Sequence, residues 1–105
     1  MELVTEIYLI TKNFPNDELF GLTSQLRRAA VSIPSNIAEG KGRLSKGEFR
    51  QFLGNARGSL AELETQILIS QNLRYLDDDK ANRLLAKVEE VGKVINGLLS
   101  AVKNQ

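Results

Sequence analysis

Apolar residues return every three or four positions along almost the whole chain, and that spacing restricts the fold more than any other feature of the sequence. Leu3, Ile7, Ile10 and Phe14 make the first stripe, which predicts a helix over about residues 2–13. Pro15 stops it, because the residue before a proline is pushed out of the α region. Asn16 or Asp17 is placed to cap the next helix, with Asp17 and Glu18 favourable in its first turn. The second stripe is Leu19, Leu22, Leu26, Ala29 or Ala30, Ile33 and Ile37, and it predicts a helix over about residues 17–40. It passes through Pro34 without losing register, which favours one helix kinked at Pro34. The alternative is a break, with Ser32 capping a fresh helix that carries Pro34 in its first turn. Ser32, Ser35 or water is available for the carbonyl that the proline frees. Gly40 then reads as a left-handed C-cap.

"SKGE", Ser45 to Glu48, reads as a capping box. It opens a helix over about residues 46–73, with Phe49, Phe52 or Leu53, Ala56, Leu60, Leu63, Ile67 and Ser70 on its stripe. Gly54 and Gly58, four apart on one face, either admit the close approach of another backbone or are simply tolerated. Asp77, Asp78 and Asp79 open the last helix as cap and first-turn acids; a metal cluster is the sharper and less favoured reading. Its stripe is Ala81, Leu84, Val88, Val91, Ile95, Leu98 and Val102. Four amphipathic helices with short connections predict an all-α fold, an antiparallel up-down four-helix bundle, with residues 1–105 as a single domain. The first helix is too short for its partners. Leu9, Val31, Leu44, Leu68, Ile69, Leu85 and Leu99 lie off the stripes, and a helix apolar on more than one face wants a second partner, so a homo-oligomer is expected.

The chain has no histidine and no cysteine. That removes Ser-His-Asp and Cys-His nucleophiles, ordinary zinc sites, the Glu-x-x-His di-iron pair and disulfides. Carboxylate chemistry remains on paper, through Glu39, Glu62 and Glu64. Those three read better as surface or ion-pair residues, so no enzyme, no cofactor and no metal are expected. No apolar run is long enough to span a membrane, and the N-terminus lacks a signal-peptide pattern, so a cytoplasmic protein is expected.

The formal charge of +1 hides a segregation. Arg27, Arg28, Lys41, Arg43, Lys46, Arg50 and Arg57 face only Glu39 and Glu48 in the same segment, a surplus of five positive charges. Elsewhere acids outnumber bases by four. Such a segment attracts phosphate backbones, and the seven basic residues are the candidate nucleic-acid contacts. The plainer reading is a solvated turn with ordinary ion pairs, for example Arg28 with Glu62 or Glu64. The four phenylalanines fall on or near the core stripes and there is no tryptophan, so a stacking platform for bases is not expected. "GKGR" lacks the spacing of a phosphate-binding P-loop.

"FGLTSQLRRAAVSIPSNIAEGKGR" and "SKGEFRQFLGNARGSLAELETQILIS" together resemble the four-helix bundle proteins encoded by intervening sequences in bacterial 23S rRNA genes. The likeness runs from Glu2 to the end and is most specific over residues 20–76. In fold the family is similar to the accessory variability determinant of diversity-generating retroelements, which acts beside a reverse transcriptase. The resemblance implies an up-down bundle assembled into a ring, a pentamer, without enzyme activity, and nucleic-acid binding (RNA or DNA) through basic surfaces. Arg27 and Arg28 match the family's Arg-Arg; Asn36, Glu39 and Gly40 match its Asn-Ile-Ala-Glu-Gly. It also implies further residues ahead of Met1. The competing expectation is a protein-interaction scaffold or accessory subunit for a partner enzyme such as a reverse transcriptase.

Overall fold

The computed structural model describes residues 1–103, so the last two positions of the predicted 1–105 domain lie outside the described residues. The described residues form helices α1 (Glu2–Thr11), α2 (Leu22–Lys41), α3 (Lys46–Asn72) and α4 (Asp78–Lys103), a short 3-10 turn over Asn16–Glu18, and no strand. The 27 residues of α3 reach about 40 Å at 1.5 Å per residue, close to the 45 Å long axis of the molecule. At 10 residues, α1 is less than half the length of α3, as its short stripe predicts.

The predicted stripes supply the core. Leu3 and Ile7 of α1, Leu26 and Ile33 of α2, Leu63 and Ile67 of α3, and Leu84 and Ile95 of α4 are all buried in one cluster. The most extensive pairing joins α2 to α3. Gly40 lies against Phe52 and Ser32 against Ser59, so α3 is traversed backwards as α2 is traversed forwards. Leu60 against Gly92 and Gln71 against Asp78 give the same reversed order for α3 and α4.

Local signals hold where they rest on one turn of backbone. The Ser45 hydroxyl accepts the Glu48 N–H at 3.1 Å and donates to the Glu48 carboxylate at 3.2 Å, closing the predicted box. Asp77 Oδ1 accepts the Lys80 N–H at 2.8 Å, the expected cap of α4. The α3–α4 connection is a Schellman turn: Tyr75 N–H reaches the Ser70 carbonyl at 2.9 Å and Arg74 N–H the Gln71 carbonyl at 3.0 Å. Arg74 sits there at φ 64°, a left-handed position more often held by glycine.

Three expectations are corrected. α2 starts at Leu22, not near residue 17, and neither Asn16 nor Asp17 caps it. Instead the Glu18 carboxylate turns back to accept the Leu22 N–H at 3.2 Å. A Cβ on Gly21 would stand 2.8 Å from that carboxylate, so a glycine there admits the cap. The 3-10 turn rotates the chain before α2 begins, which leaves Leu19 half-exposed, off the core where the stripe places it, and Phe20 beside it 95% exposed. Gly40 is not a left-handed cap. It lies buried inside α2, and the helix ends at Gly42 with ordinary right-handed dihedrals. Gly54 and Gly58 meet nothing where a Cβ would go, so the tolerated reading holds for both. At Pro34, α2 runs on as one helix, which rules out the break. The Ser32 hydroxyl is engaged across the groove with Ser59.

Near the α1–α2 connection the Tyr75 phenol donates to Glu18 Oε2 at 2.9 Å, and its ring packs on Phe14 at 5.3 Å. That hydrogen bond, then desolvation and the neighbouring carboxylates, raise the Tyr75 pKa above the usual 10.0. The folded state therefore holds the phenolic proton more tightly than the unfolded state. Its contribution is complete below pH 10 and is lost as pH rises through the folded-state value. Alkaline denaturation followed by circular dichroism should begin above about pH 10, and Tyr75→Phe should lose part of that pH dependence. An unchanged alkaline limb would show that the contact contributes nothing.

Candidate nucleic-acid interface

The α2–α3 hairpin carries all seven candidate cations, and the structure distributes them over several faces. Arg27 is half-buried against α1. Its Nε donates to Thr11 Oγ1 at 2.9 Å, its Nη2 reaches the Tyr8 carbonyl at 3.5 Å, and its guanidinium lies 4.8 Å from the Tyr8 ring centre. Thr11 in turn donates to the Ile7 carbonyl at 2.7 Å. Arg27 thus ties α1 to α2. Arg28, one position on, is turned about 100° around the helix and is exposed. It lines the α2–α3 groove together with Glu62, without an ion pair to Glu62 or Glu64.

At the α2–α3 turn, Arg43 is held three ways. It pairs with Glu39 at 2.9 Å and with Glu48 at 3.7 Å, and it stacks 5.0 Å from the Phe52 ring centre. Both acids of the basic segment are therefore directed at a single arginine. Lys41, Arg50 and Arg57 are exposed and form no ion pair among the described residues, and Lys46 lies exposed beside them. Arg50 and Arg57, seven apart, share a face of α3, and Arg57 lines the opposite groove, between α3 and α4. The exposed candidate cations are thus arranged as a hairpin end with Lys41, Lys46 and Arg50, continued along α3 by Arg57, with Arg28 apart in the α2–α3 groove.

Sequence reading missed the lining of that second groove. Ser59, Glu62 and Gln66, spaced three and four apart on α3, face Gln25, Arg28 and Ser32 of α2. The polar three-four spacing was the available signal. The phenylalanine expectation also fails at Phe20, which stands almost fully in solvent, while Phe49 and Phe52 are half-buried against Gly40.

Glu39, Glu62 and Glu64 are not assembled into one site: Glu39 holds Arg43, Glu62 lies in the α2–α3 groove and Glu64 in the α3–α4 groove. Among the described residues no group of three acids is placed to hold a metal ion; Asp77 caps α4, and Asp78 and Asp79 lie in its first turn. No helix of the described residues is long and apolar enough to cross a membrane.

Among solved structures the chain is similar to a Bacteroides thetaiotaomicron protein of unknown function from the S23 ribosomal protein family. The TM-score is 0.80 at 20% identity, covering 91% of this chain and 87% of that one. That likeness speaks to the fold. No match is found among curated proteins. The model of the 23S rRNA-intervening sequence protein family matches residues 1–97, from the start of α1 well into α4, and the chain belongs to that family.

Proposed function

We propose that this protein is a non-catalytic, self-associating four-helix bundle that binds nucleic acid, RNA or DNA, through the basic end of the α2–α3 hairpin. The observation that carries the reading is the spent acid pair: Glu39 and Glu48 both serve Arg43, so the surplus charge of Lys41, Arg50 and Arg57 faces solvent. Phosphate contacts of this kind release condensed counterions and impose little sequence preference. Arg28 and Lys46 add to the field, and Arg27 acts by fixing α1 against α2.

Exposed Leu44 and Phe20, at the two ends of α2, support self-association, with a ring of five as the family resemblance has it. Several copies of a weak patch raise avidity by about 10²–10⁴ without new contacts. The protein-scaffold reading is favoured by one observation, the largely apolar α3–α4 groove lined by Leu60, Leu68, Leu85 and Val88.

The test is fluorescence anisotropy with a structured RNA and a duplex DNA over a range of salt, with the mass of the protein followed alongside. The log–log slope on duplex should be about −3 or steeper, and Lys41→Gln, Arg50→Gln and Arg57→Gln should each flatten it by about 0.9. A flat salt response, or no binding by an intact oligomer, would transfer the case to the scaffold.

A further inference from the structure

The α2–α3 groove holds one buried polar side chain that is incompletely paired. It has a volume of about 500 Å³ and is lined by Gln25, Arg28, Ser32, Ser59, Glu62 and Gln66. Gln66 is only 6% exposed. Its Nε2 donates to Glu62 Oε1 at 3.5 Å, and its Oε1 is buried without a hydrogen-bond partner. Turning the amide over would set its oxygen against the Glu62 carboxylate, so that hydrogen bond fixes which atom is left over. Buried amide oxygens are rarely left unpaired in a folded protein, and one that is has room for a donor, water or a ligand group.

Beside it, the Ser32 and Ser59 hydroxyls lie 2.8 Å apart. Asn36 Nδ2 donates both to Ser32 Oγ at 2.9 Å and to the Ser32 carbonyl at 2.8 Å, which anchors the pair. Whichever hydroxyl donates to the other, one O–H of the two stays uncommitted. The groove lining thus holds two kinds of acceptor, the exposed Glu62 carboxylate and the buried Gln66 amide oxygen, and one uncommitted hydroxyl. Arg28 supplies a cation among the same lining residues, with no ion pair among the described residues.

We propose that this groove receives one unpaired nucleobase whose pairing edge carries an exocyclic amino group beside an acceptor ring nitrogen, adenine or cytosine and not guanine, whose N1 is protonated, with the neighbouring phosphate on Arg28. The amino group donates to Glu62 and Gln66, as carboxylates accept from cytosine N4 and glutamine pairs with adenine. The adjacent ring nitrogen accepts from the serine pair. Uracil turns a carbonyl oxygen towards the same acceptors and is rejected. A base in a duplex has its pairing edge occupied, so the partner is single-stranded at that point. The groove contains no aromatic side chain, so the base is held by its edge and not by stacking. This inference rests on the nucleic-acid reading above and adds a base preference to it.

The experiment compares short oligo(rA), oligo(rC) and oligo(rU) of one length by anisotropy at one low salt concentration, using the full chain. Oligo(rA) and oligo(rC) should bind about tenfold or more tightly than oligo(rU). Glu62→Ala, at an exposed position, and Gln66→Met should each narrow that ratio to about twofold, while the salt slope on oligo(rU) stays unchanged. If Gln66→Met fails to fold, Glu62→Ala alone decides. Equal binding of the three oligomers overturns the base pocket and leaves the phosphate reading standing. A preference that survives both variants overturns the assignment to this groove. No binding to any oligomer overturns both readings together.

Discussion

Leu63→Ala is expected to lower the unfolding free energy by about 2–5 kcal/mol, the range for emptying a leucine site in a packed core. Leu63 is 0% exposed and sits at mid-length of α3 among the side chains the helices share. Small domains have only about 5–15 kcal/mol in total, so this single change can remove a large part of the stability. Urea titration followed by circular dichroism measures it. Leu19→Ala is the matched control, because Leu19 occupies the same kind of stripe position in the sequence but is 49% exposed. It should cost under about 0.5 kcal/mol. Equal losses at the two sites would mean that Leu19 is buried in the assembled protein, against a second copy.

Gly40→Ala carries the second large effect, and its sign is set by competition. Inside a helix, alanine should gain about 1 kcal/mol over glycine. At Gly40 the new Cβ would stand 2.8 Å from Phe52 Cβ and 2.9 Å from Phe49 Cδ1. Phe52 Cβ is one bond from the backbone and cannot swing away, so α2 and α3 must separate. Overpacking of this kind costs about 1–3 kcal/mol, and a net destabilisation is expected. Gly40→Val adds two methyl groups and a β-branched penalty, and should cost more. Gly54→Ala and Gly58→Ala meet open space and should each stabilise the fold by about 0.5–1 kcal/mol. Thermal melts of the four variants give opposite signs for residue 40 and for residues 54 and 58. A gain at all three positions would refute the close α2–α3 contact.

These contrasts also show how far the sequence could be read. The Ser45–Glu48 box and the Asp77 cap were legible because each closes within one turn of helix. Of the stripe on α3, Leu53, Ala56, Leu60, Leu63, Ile67 and Ser70 are all buried. The start of α2 was misread because Asn16, Asp17 and Glu18 form a plausible first turn by composition. The cap instead comes from a glutamate folding back over Gly21. The candidate site was only partly legible. The seven cations between Arg27 and Arg57 could be counted, but their counterions could not be assigned. Arg43 takes both nearby acids, Arg27 is drawn onto Tyr8 and Thr11 of α1, and Arg28 beside it is left without an ion pair.

The sequence by itself determined four helices, most of their ends and the residues that each turns inward. Backbone hydrogen bonding sets a period of 3.6 residues whatever the partner, and apolar burial selects the inward side. Only the tertiary structure decided which glycine lies under a phenylalanine, which arginine is structural, and that Gln66 ends with a buried oxygen unpaired. Those outcomes depend on the rotation and separation of one helix relative to another. Residues far apart in the chain set both, and no local period records them.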